Sequence, residues 1–501
     1  MAERLIPLFV ILPLAGAFIN SLIGKKIKRV PDALANIVTL GLLVASLFGI
    51  LAVNKYGILV YKVGSWMPPI GIAMVLDGLT SFMLVTVNLV AFLCVLYSVN
   101  YMEKFTSKWN FYTLFLLMLA GMNGVIISGD MFNLFVFLEI ASVASYALVA
   151  FGTDQEELEA SFKYMVMSTV GSLFVLLGIA LLYSYTSTLN MADMALMIAQ
   201  KGTGKITVFV GVLFMAGFGL KAALVPFHAW LPDAHPSAPA PISAMLSGVL
   251  IKALGIYTIV RILYNVLGMS GEFANILLVL GALSMAVGAL LAMGQWDLKR
   301  LLAYSSISQI GYIIFGIGLG TPLGILGALF HLFNHSVFKS LLFLNSGAVE
   351  YAIGTRDIRL MGGLREKLPV TSGTSLVASM SIAGVPPFNG FFSKLIIIFA
   401  AVQAGYIGYG LWAAVISILT LAYFMSVQKN VFFGEPSKKI DWSDTKTPPV
   451  FMKMSVIILA TICVFGGLLL IPEISCNFLR SASDVLVAGK EYASAVFGGI
   501  K

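Results

Sequence analysis

Residues 219–255 read GLKAALVPFHAWLPDAHPSAPAPISAMLSGVLIKALG, and this stretch decides the class of fold. Lys221 and Lys252 lie within apolar runs, and a proline-rich segment from Leu231 to Pro241 separates them. Proline removes a backbone donor and clashes with the preceding helical turn. We therefore expect a membrane helix that breaks after one buried lysine and is followed by a second helix that contains another.

The composition of the whole chain agrees with a membrane protein. Of 501 residues, 59% are hydrophobic and 11% are charged, whereas soluble domains carry roughly a quarter charged residues. Apolar runs of about 20 residues can cross a hydrocarbon core about 30 Å thick, and they lack the alternation of a membrane β-barrel. The sequence predicts an all-α integral membrane protein with about fourteen transmembrane helices. The predicted spans are 4–23, 31–53, 74–98, 111–129, 131–150, 162–185, 206–231, 241–264, 273–293, 300–319, 323–349, 370–403, 408–432 and 450–471.

The seventh and twelfth predicted spans contain helix breakers. Pro226 interrupts the former, and Pro386 and Pro387 interrupt the latter. Paired broken helices in corresponding places are typical of inverted-repeat transporters. We therefore predict two inverted five-helix repeats with broken helices 7 and 12. The predicted domains are 1–110 (helices 1 to 3), 111–265 (first repeat, helices 4 to 8), 266–435 (second repeat, helices 9 to 13) and 436–501 (helix 14 and the tail).

The net charge of +8 comes largely from alternate loops rich in lysine and arginine. The positive-inside rule places these loops in the cytoplasm and both termini on the outer side of the cell membrane. No basic patch is interleaved with aromatic residues, so a nucleic-acid partner is not expected. The loop residues are Lys25, Lys26, Lys28, Arg29, Lys104, Lys108, Lys299, Arg300, Arg356, Arg359, Arg365, Lys367, Lys438, Lys439 and Lys446.

The tail from Glu473 to Lys501 is too polar to span a membrane. Its scattered apolar residues, such as Phe478 and Leu486, would suit a helix lying in the membrane interface. They would equally suit contact with a partner subunit, and both alternatives stay open.

Four charged residues lie deep within predicted spans: Glu139, Lys221, Lys252 and Lys394. Each charge costs about 2.5 to 3.5 kcal/mol at the centre of a membrane helix, so all four require a polar interior and partners. Two simpler explanations stay open, namely lysines that snorkel to the interface and a static ion pair with Glu139. A static pair, however, needs one lysine rather than three.

The eleventh span adds His331, His335 and Lys339, which share one face of a helix. Imidazole can donate from one nitrogen and accept at the other, which favours a proton wire over purely structural histidines. HxxxH spacing also suits zinc, but Leu332 replaces the glutamate of the metalloprotease motif and no third ligand is nearby, so no metal site is predicted.

Further polar residues are accessory candidates. Tyr304 and Ser305 begin a polar run, through Gln309, that could hold water or link helices by hydrogen bonds. His228 lies in the first helix break. The sequence contains no nucleophile, phosphate loop or cofactor ligand set, so neither a catalytic centre nor a bound cofactor is predicted in this chain.

These residues resemble the antiporter-like subunits shared by respiratory complex I, the Mrp multisubunit sodium/proton antiporters and the energy-converting membrane-bound NiFe hydrogenases. The resemblance implies partnership with other membrane subunits, including further antiporter-like subunits, and a proton path through the buried residues. It also implies that Asp77 lies near a subunit contact. The matching stretches are DMFNLFVFLEIASVASYALVA, the opening stretch 219–255, LKRLLAYSSISQIGY, FHLFNHSVFKSLLFLNSG and SIAGVPPFNGFFSK. The implied path residues are Glu139, Lys221, Lys252, His331, His335 and Lys394.

Lysine at position 394 is similar to the D-type Mrp protein and to the hydrogenase-linked homologue. Our first expectation is the hydrogenase-linked subunit of an ion-translocating oxidoreductase, whose partner subunits would carry iron–sulfur clusters and a NiFe centre. A D-type Mrp protein or a proton-pumping subunit of complex I is the alternative. Sodium prefers clustered oxygen ligands, whereas this path has ammonium and imidazole groups, so we expect any sodium transport in a neighbouring subunit.

Overall fold

The structure, a computed structural model, describes residues 2–105, 107–436, 442 and 445–498. Twelve of its helices are long and apolar enough to cross a membrane, so the chain is an all-α, multi-pass integral membrane protein. The predicted loop lysines Lys438 and Lys439 lie outside the described residues. The main helices are α1 (Ala2–Ile23), α2 (Val30–Tyr56), α3 (Gly78–Lys104), α4 (Lys108–Ile127), α5 (Met131–Val149), α6 (Gln155–Thr186), α7 (Met191–Lys201), α8 (Lys205–Lys221), α9 (Leu231–Ser237), α10 (Ala240–Leu267), α11 (Gly271–Met293), α12 (Leu298–Gly318), α13 (Pro322–Ile353), α14 (Pro369–Ala383), α15 (Asn389–Gln403), α16 (Ile407–Phe433), α17 (Val450–Leu470), α18 (Ser481–Val487) and α19 (Tyr492–Gly498).

A short hairpin precedes α3, so the predicted start of the third span at residue 74 is wrong. Strand β1 (Leu59–Lys62) pairs antiparallel with β2 (Ala73–Leu76). Helix α3 starts only after Asp77, whose side chain accepts a hydrogen bond of 2.8 Å from the backbone nitrogen of Thr80. Such a cap satisfies one of the backbone donors that the first helical turn leaves free.

Both predicted helix interruptions are confirmed. Turns separate α8 from α9 and α14 from α15. Carbonyls freed near a break need other partners inside a membrane protein. At the first break the indole of Trp230 donates to the Leu220 carbonyl at 3.0 Å. At the second, the ammonium of Lys394 donates to the Ile382 carbonyl at 2.8 Å. The inverted relation between the two halves stays a prediction.

Helix α10 is the most enclosed part of the bundle and is not a regular α-helix. It contains three stretches of π-helical turns, Leu246–Leu250, Lys252–Ile256 and Arg261–Leu267, which the sequence pattern did not predict. Single π turns are often found at functional sites. A Cβ atom added at Gly255 would lie 2.6 Å from the Ala222 side chain, so the end of α8 packs directly against this helix.

The C-terminal tail packs on its own chain, an arrangement that neither predicted alternative described. The ring of Phe478 lies 5.0 Å from that of Phe82 and 5.7 Å from that of Phe333. The side-chain amide of Asn265 donates to the carbonyl of Val485 at 2.8 Å. Apolar packing and backbone hydrogen bonds therefore hold the tail against α3, α10 and α13.

Asp77 is completely buried within its own chain, and its position near a subunit contact stays a prediction. Its two carboxylate oxygens accept from the guanidinium of Arg261 at 2.8 and 2.9 Å. A bidentate pair of this kind is strong and geometrically specific. The ring of Tyr492, in the tail, lies 5.0 Å from the same guanidinium. Asp77 thus belongs to a structural ion pair that the tail covers.

We expect Asp77→Ala to lower the melting temperature of the detergent-solubilised protein strongly. Breaking one side of a buried ion pair costs about 3–5 kcal/mol because the other charge stays buried without its partner. Fluorescence-detected gel filtration after heating measures the effect. Asp77→Ala combined with Arg261→Met should recover part of the loss. The control is Glu159→Ala, which breaks the exposed pair with Lys163; equal melting of the two single variants would contradict a structural role for Asp77.

Candidate functional site

Lys221 is the last residue of α8 and the centre of a first polar cluster. Its ammonium donates to the hydroxyls of Ser168 at 2.5 Å and Ser142 at 3.0 Å. It lies 3.9 Å from a carboxylate oxygen of Glu139, and the same oxygen accepts a hydrogen bond from Ser172. Because 3.9 Å exceeds hydrogen-bond distance, the two charges attract one another without direct contact, and a small movement would close or open the pair.

The two charged groups of this cluster differ in exposure. The side chain of Lys221 is only 2% exposed, so it does not snorkel to the membrane surface, although α8 ends at this residue. The side chain of Glu139 is 35% exposed. It opens on an outer face of the bundle where Val136 and Val143 are also exposed. The Glu139 carboxylate therefore lies between the buried Lys221 and the outer face of α5.

A second cluster joins Lys252 to Lys339 across three helices. The Lys252 ammonium, completely buried, donates to the carbonyl of Ser247. The hydroxyls of Ser247 and Ser306 lie 2.7 Å apart. The Leu302 carbonyl then accepts from both the Ser306 hydroxyl at 2.9 Å and the Lys339 ammonium at 2.8 Å. A continuous line of polar groups thus runs from α10 through α12 to α13.

The two histidines of α13 are buried side by side, as their spacing predicted. Their rings are 6.3 Å apart and nearly parallel. Nδ1 of His331 lies 2.9 Å from the Ser393 hydroxyl. Nε2 of His331 and both nitrogens of His335 have no hydrogen-bond partner among the described residues. A buried unpaired polar group costs about 1–3 kcal/mol, so these nitrogens are sites where internal water is expected.

Lys394 forms the far end of the row, one turn beyond the second helix break. Besides the Ile382 carbonyl, its ammonium contacts the Ser417 hydroxyl at 3.2 Å. It lies 4.7 Å from the centre of the Tyr312 ring, which is itself 5.6 Å from the ring of His331. Lys394 and the histidines therefore share one aromatic neighbour.

The predicted path residues thus fall into three neighbouring clusters inside the bundle. Packing of Ala222 on Gly255 joins the first cluster to α10, and α13 carries members of the other two. Within the described ranges, no group of three or more histidine, cysteine, aspartate or glutamate side chains is placed to hold a metal ion. The clusters are Glu139 with Lys221, Lys252 with Lys339, and His335 with His331 and Lys394.

The accessory candidates lie outside these clusters. The Ser305 hydroxyl accepts from the Tyr423 hydroxyl at 3.0 Å, which is a link between helices. Tyr304 is half-buried where its backbone packs against Gly288 of α11. His228 is half-buried in the first helix break.

The titratable residues that the sequence pattern missed include the buried Lys299 and His235 and the partly exposed Glu350. Lys299 was assigned to a loop, but Asp297 caps α12 and places Lys299 inside that helix with a side chain only 2% exposed. Its ammonium lies 3.3 Å from the carboxylate of Glu350. His235 is completely buried, with its ring stacked on Phe343 at 4.5 Å. The available signal was the aspartate that caps α12, since a cap starts the helix before Lys299.

Two family models match most of the chain. The model described as "NADH:quinone oxidoreductase/Mrp antiporter, TM" matches residues 128–421. The chain belongs to this family. The model for the N-terminus of chain 5 of NADH-ubiquinone oxidoreductase (complex I) matches residues 66–112. The first match covers every residue of the three polar clusters.

Individual relatives place this family member with the Mrp D type. The chain is 33% identical to the D-type Na(+)/H(+) antiporter protein of Alkalihalophilus pseudofirmus over 464 residues, which cover 92% of this chain and 93% of the relative. A chain in the structure of the Mrp complex from Dietzia sp. superposes with a TM-score of 0.91 at 28% identity, covering 99% of both chains. A chain of an archaeal membrane-bound sulfane sulfur reductase superposes with a TM-score of 0.89 at 31% identity, covering 99% of this chain and all of that one.

These relatives correct the first expectation from the sequence. The hydrogenase-linked subunit was preferred, whereas the D-type Mrp alternative is the better match. Lys394 could not distinguish the hydrogenase-linked subunit from the D-type Mrp protein, because the resemblance implies a lysine at this position in both.

Proposed function

We propose that this chain is the proton-conducting, D-type subunit of a multisubunit sodium/proton antiporter in the cell membrane. One observation carries the proposal. Lys252, Lys339 and Lys394 are buried, yet among the described residues their ammonium groups contact only carbonyls, hydroxyls and aromatic rings. Desolvation disfavours a charged lysine that has no carboxylate beside it. A buried lysine without a carboxylate partner can therefore gain and lose its proton, whereas a permanent ion pair would keep the lysine protonated.

The pair of Glu139 and Lys221 would control the path. With the carboxylate close, attraction favours a proton on Lys221; when Glu139 moves away, Lys221 releases that proton toward the clusters on α10 and α13. The hydroxyls of Ser168 and Ser142 accept from the Lys221 ammonium and would keep the nitrogen in place when Glu139 moves away. Refilling through Lys252 and release through His335, His331 and Lys394 would complete one transfer. An opposing sodium gradient, used by a neighbouring subunit, would supply the energy.

The outer face of α5 supports the presence of a neighbouring membrane subunit. Glu139 opens there among exposed apolar side chains, and an ionised carboxylate facing lipid at this depth is costly. A further antiporter-like subunit, with a cation or water at the contact, would remove that cost. The loops rich in lysine and arginine would face the cytoplasm and both termini the outer side.

A redox-coupled complex is the second candidate, because the chain is also similar over its full length to a subunit of a respiratory reductase. Co-purification from native membranes separates the candidates. Partners with iron–sulfur clusters would indicate a redox-coupled complex; nickel in addition would indicate a hydrogenase, and a flavin-containing NADH-oxidising partner would indicate complex I. Partners with neither, together with sodium-dependent proton movement, would indicate an Mrp antiporter.

We expect Glu139→Gln to reduce proton transport by at least about tenfold, equivalent to about 1.4 kcal/mol, because Lys221 loses its only carboxylate partner among the described residues. The measurement is proton movement across proteoliposomes that contain the intact complex, followed with an internal pH dye. Glu159→Gln, on the exposed face of α6, is the matched control and should transport normally. Normal transport by assembled Glu139→Gln complex would refute the proposed switch.

A further inference from the structure

A cleft of about 740 Å³ opens at the end of the bundle that carries the lysine- and arginine-rich loops. The start of α6, the end of α9 and the loop after α13 form its walls. Six carboxylates and one guanidinium line it, and such an excess of negative charge concentrates protons and other cations near its walls. The charged residues are Asp154, Glu156, Glu157, Glu350, Asp297, Asp357 and Arg356.

Most of these carboxylates cap helices, whereas Glu350 contacts a buried lysine. Four of the six cap helical turns. Glu350 caps no helix start, and its side chain is 22% exposed. Its carboxylate lies 3.3 Å from the buried Lys299 ammonium and 4.0 Å from the more exposed Lys104 ammonium, and it accepts from the Tyr101 hydroxyl at 3.5 Å. Glu350 is therefore the point where the cleft meets a buried titratable group. The four capping residues are Asp154, Glu157, Asp297 and Asp357.

Polar groups continue inward from Lys299. Its ammonium donates to the Ala238 carbonyl at 3.0 Å, just after the short helix that contains His235. Both ring nitrogens of His235 lack a hydrogen-bond partner among the described residues. The ring stacks on Phe343 at 4.5 Å, and the ammonium of Lys339 lies 6.0 Å from the centre of the same phenyl ring. His235 thus lies between the cleft and the second polar cluster.

We propose that Glu350, Lys299 and His235 form the inlet through which protons pass from this cleft to Lys339. The inference rests on the proposed function, because Lys339 is where the inlet joins the path. Once Lys299 has passed its own proton inward, Glu350 takes a proton from water in the cleft and gives it to the neutral amine of Lys299. The Lys299 ammonium protonates one nitrogen of His235, and the imidazolium releases the proton on its other nitrogen toward Lys339. Glu350 and Lys299 are then back in their original protonation states, and His235 is neutral again with its proton on the other nitrogen, so a ring rotation resets it.

The first test replaces the residue at the mouth of the inlet. In proteoliposomes that contain the intact complex, Glu350→Gln should slow proton uptake from this side by at least about tenfold, and Glu350→Asp should recover most of the rate. Glu156→Gln is the matched control: Glu156 lies in the same cleft, is exposed, and its side chain has no hydrogen bond or ion pair among the described residues. It should stay within about twofold of the unmodified rate.

Lys221→Ala, measured in parallel, separates this inference from the proposed function. Loss of transport in Lys221→Ala with normal transport in Glu350→Gln would overturn the inlet alone. Normal transport in Lys221→Ala would overturn the proposed function itself. Loss of transport in both Glu350→Gln and Glu350→Asp, with equal loss of assembled complex, would assign Glu350 a structural role and overturn the inlet.

The second test locates the inlet by side-specific chemistry. Ser237 lines the cleft, and Cys476 is the exposed native cysteine, whereas Cys94 and Cys463 are buried. In a Cys476→Ala background, Ser237→Cys should lose most transport when a membrane-impermeant, cationic thiol reagent is added on the cleft side. Thr203→Cys, in the loop before α8 at the other end, is the control and should be unaffected from that side. Ser237→Cys that is labelled without loss of transport, or that cannot be labelled from the cleft side, would overturn the inlet.

Discussion

Replacing Lys221 by alanine should abolish proton transport, with a loss of at least about a hundredfold in rate. The substitution leaves Glu139 and the hydroxyls of Ser142 and Ser168 without the cation they surround. Without Lys221 the first cluster has no side chain that can carry a proton onward from Glu139. A hundredfold loss in rate corresponds to about 2.7 kcal/mol in the barrier, because each 1.36 kcal/mol is a factor of about ten. Proton movement across proteoliposomes that contain the intact complex measures the loss.

Two further variants separate a proton carrier from a static positive charge. Lys163→Ala removes an exposed lysine on α6 that pairs with Glu159 and Asp233, and it should transport normally. Lys221→Arg keeps the positive charge, but arginine does not release its proton in proteins. It should therefore be as inactive as Lys221→Ala. An active Lys221→Arg complex would show that position 221 needs only charge and would contradict proton transfer through this side chain.

The second large effect is expected for Lys252→Met, which should lose transport without losing stability. We expect transport to fall by at least about a hundredfold, because the variant removes a titratable group from the centre of the row. The melting temperature of the complex should be unchanged or higher. The Lys252 ammonium is completely buried with a backbone carbonyl as its partner, and replacing a buried charge by an apolar side chain of similar volume is often neutral or stabilising by about 1–4 kcal/mol.

A graded variant checks the connection to the neighbouring helix. Ser247→Ala keeps the backbone carbonyl that Lys252 contacts but removes the hydroxyl that lies 2.7 Å from Ser306. Transport by Ser247→Ala should fall by an intermediate amount while Lys252 stays in place.

The outcome that would contradict a transport role for Lys252 is a strongly destabilised Lys252→Met protein, which would assign that lysine a structural role.

Several features followed from the sequence because their causes are local. A run of apolar side chains must leave water whatever lies next to it, which determined the membrane class and most spans. Proline lacks a backbone donor in any setting, so the positions of both helix breaks could be predicted. A charged residue within an apolar run is costly by itself, so Glu139, Lys221, Lys252 and Lys394 were identifiable as buried groups that need partners.

Other features depended on residues far apart in the chain. Asp77 and Arg261 are separated by 184 positions, yet they form a bidentate pair. The C-terminal tail packs against helices of its own chain. His235, Lys299 and Glu350 are close together only because α9, α12 and α13 pack against one another.

The sequence by itself therefore determined that this is an α-helical membrane protein with two broken helices and ionisable groups at bilayer depth. The free energy of transfer from water to hydrocarbon depends on each segment by itself, so these features could be predicted without the tertiary structure. Only the tertiary structure decided which of those groups lie within reach of one another and which open to a surface, because hydrogen bonds and charge pairs act over a few ångströms between helices that the chain order does not bring together.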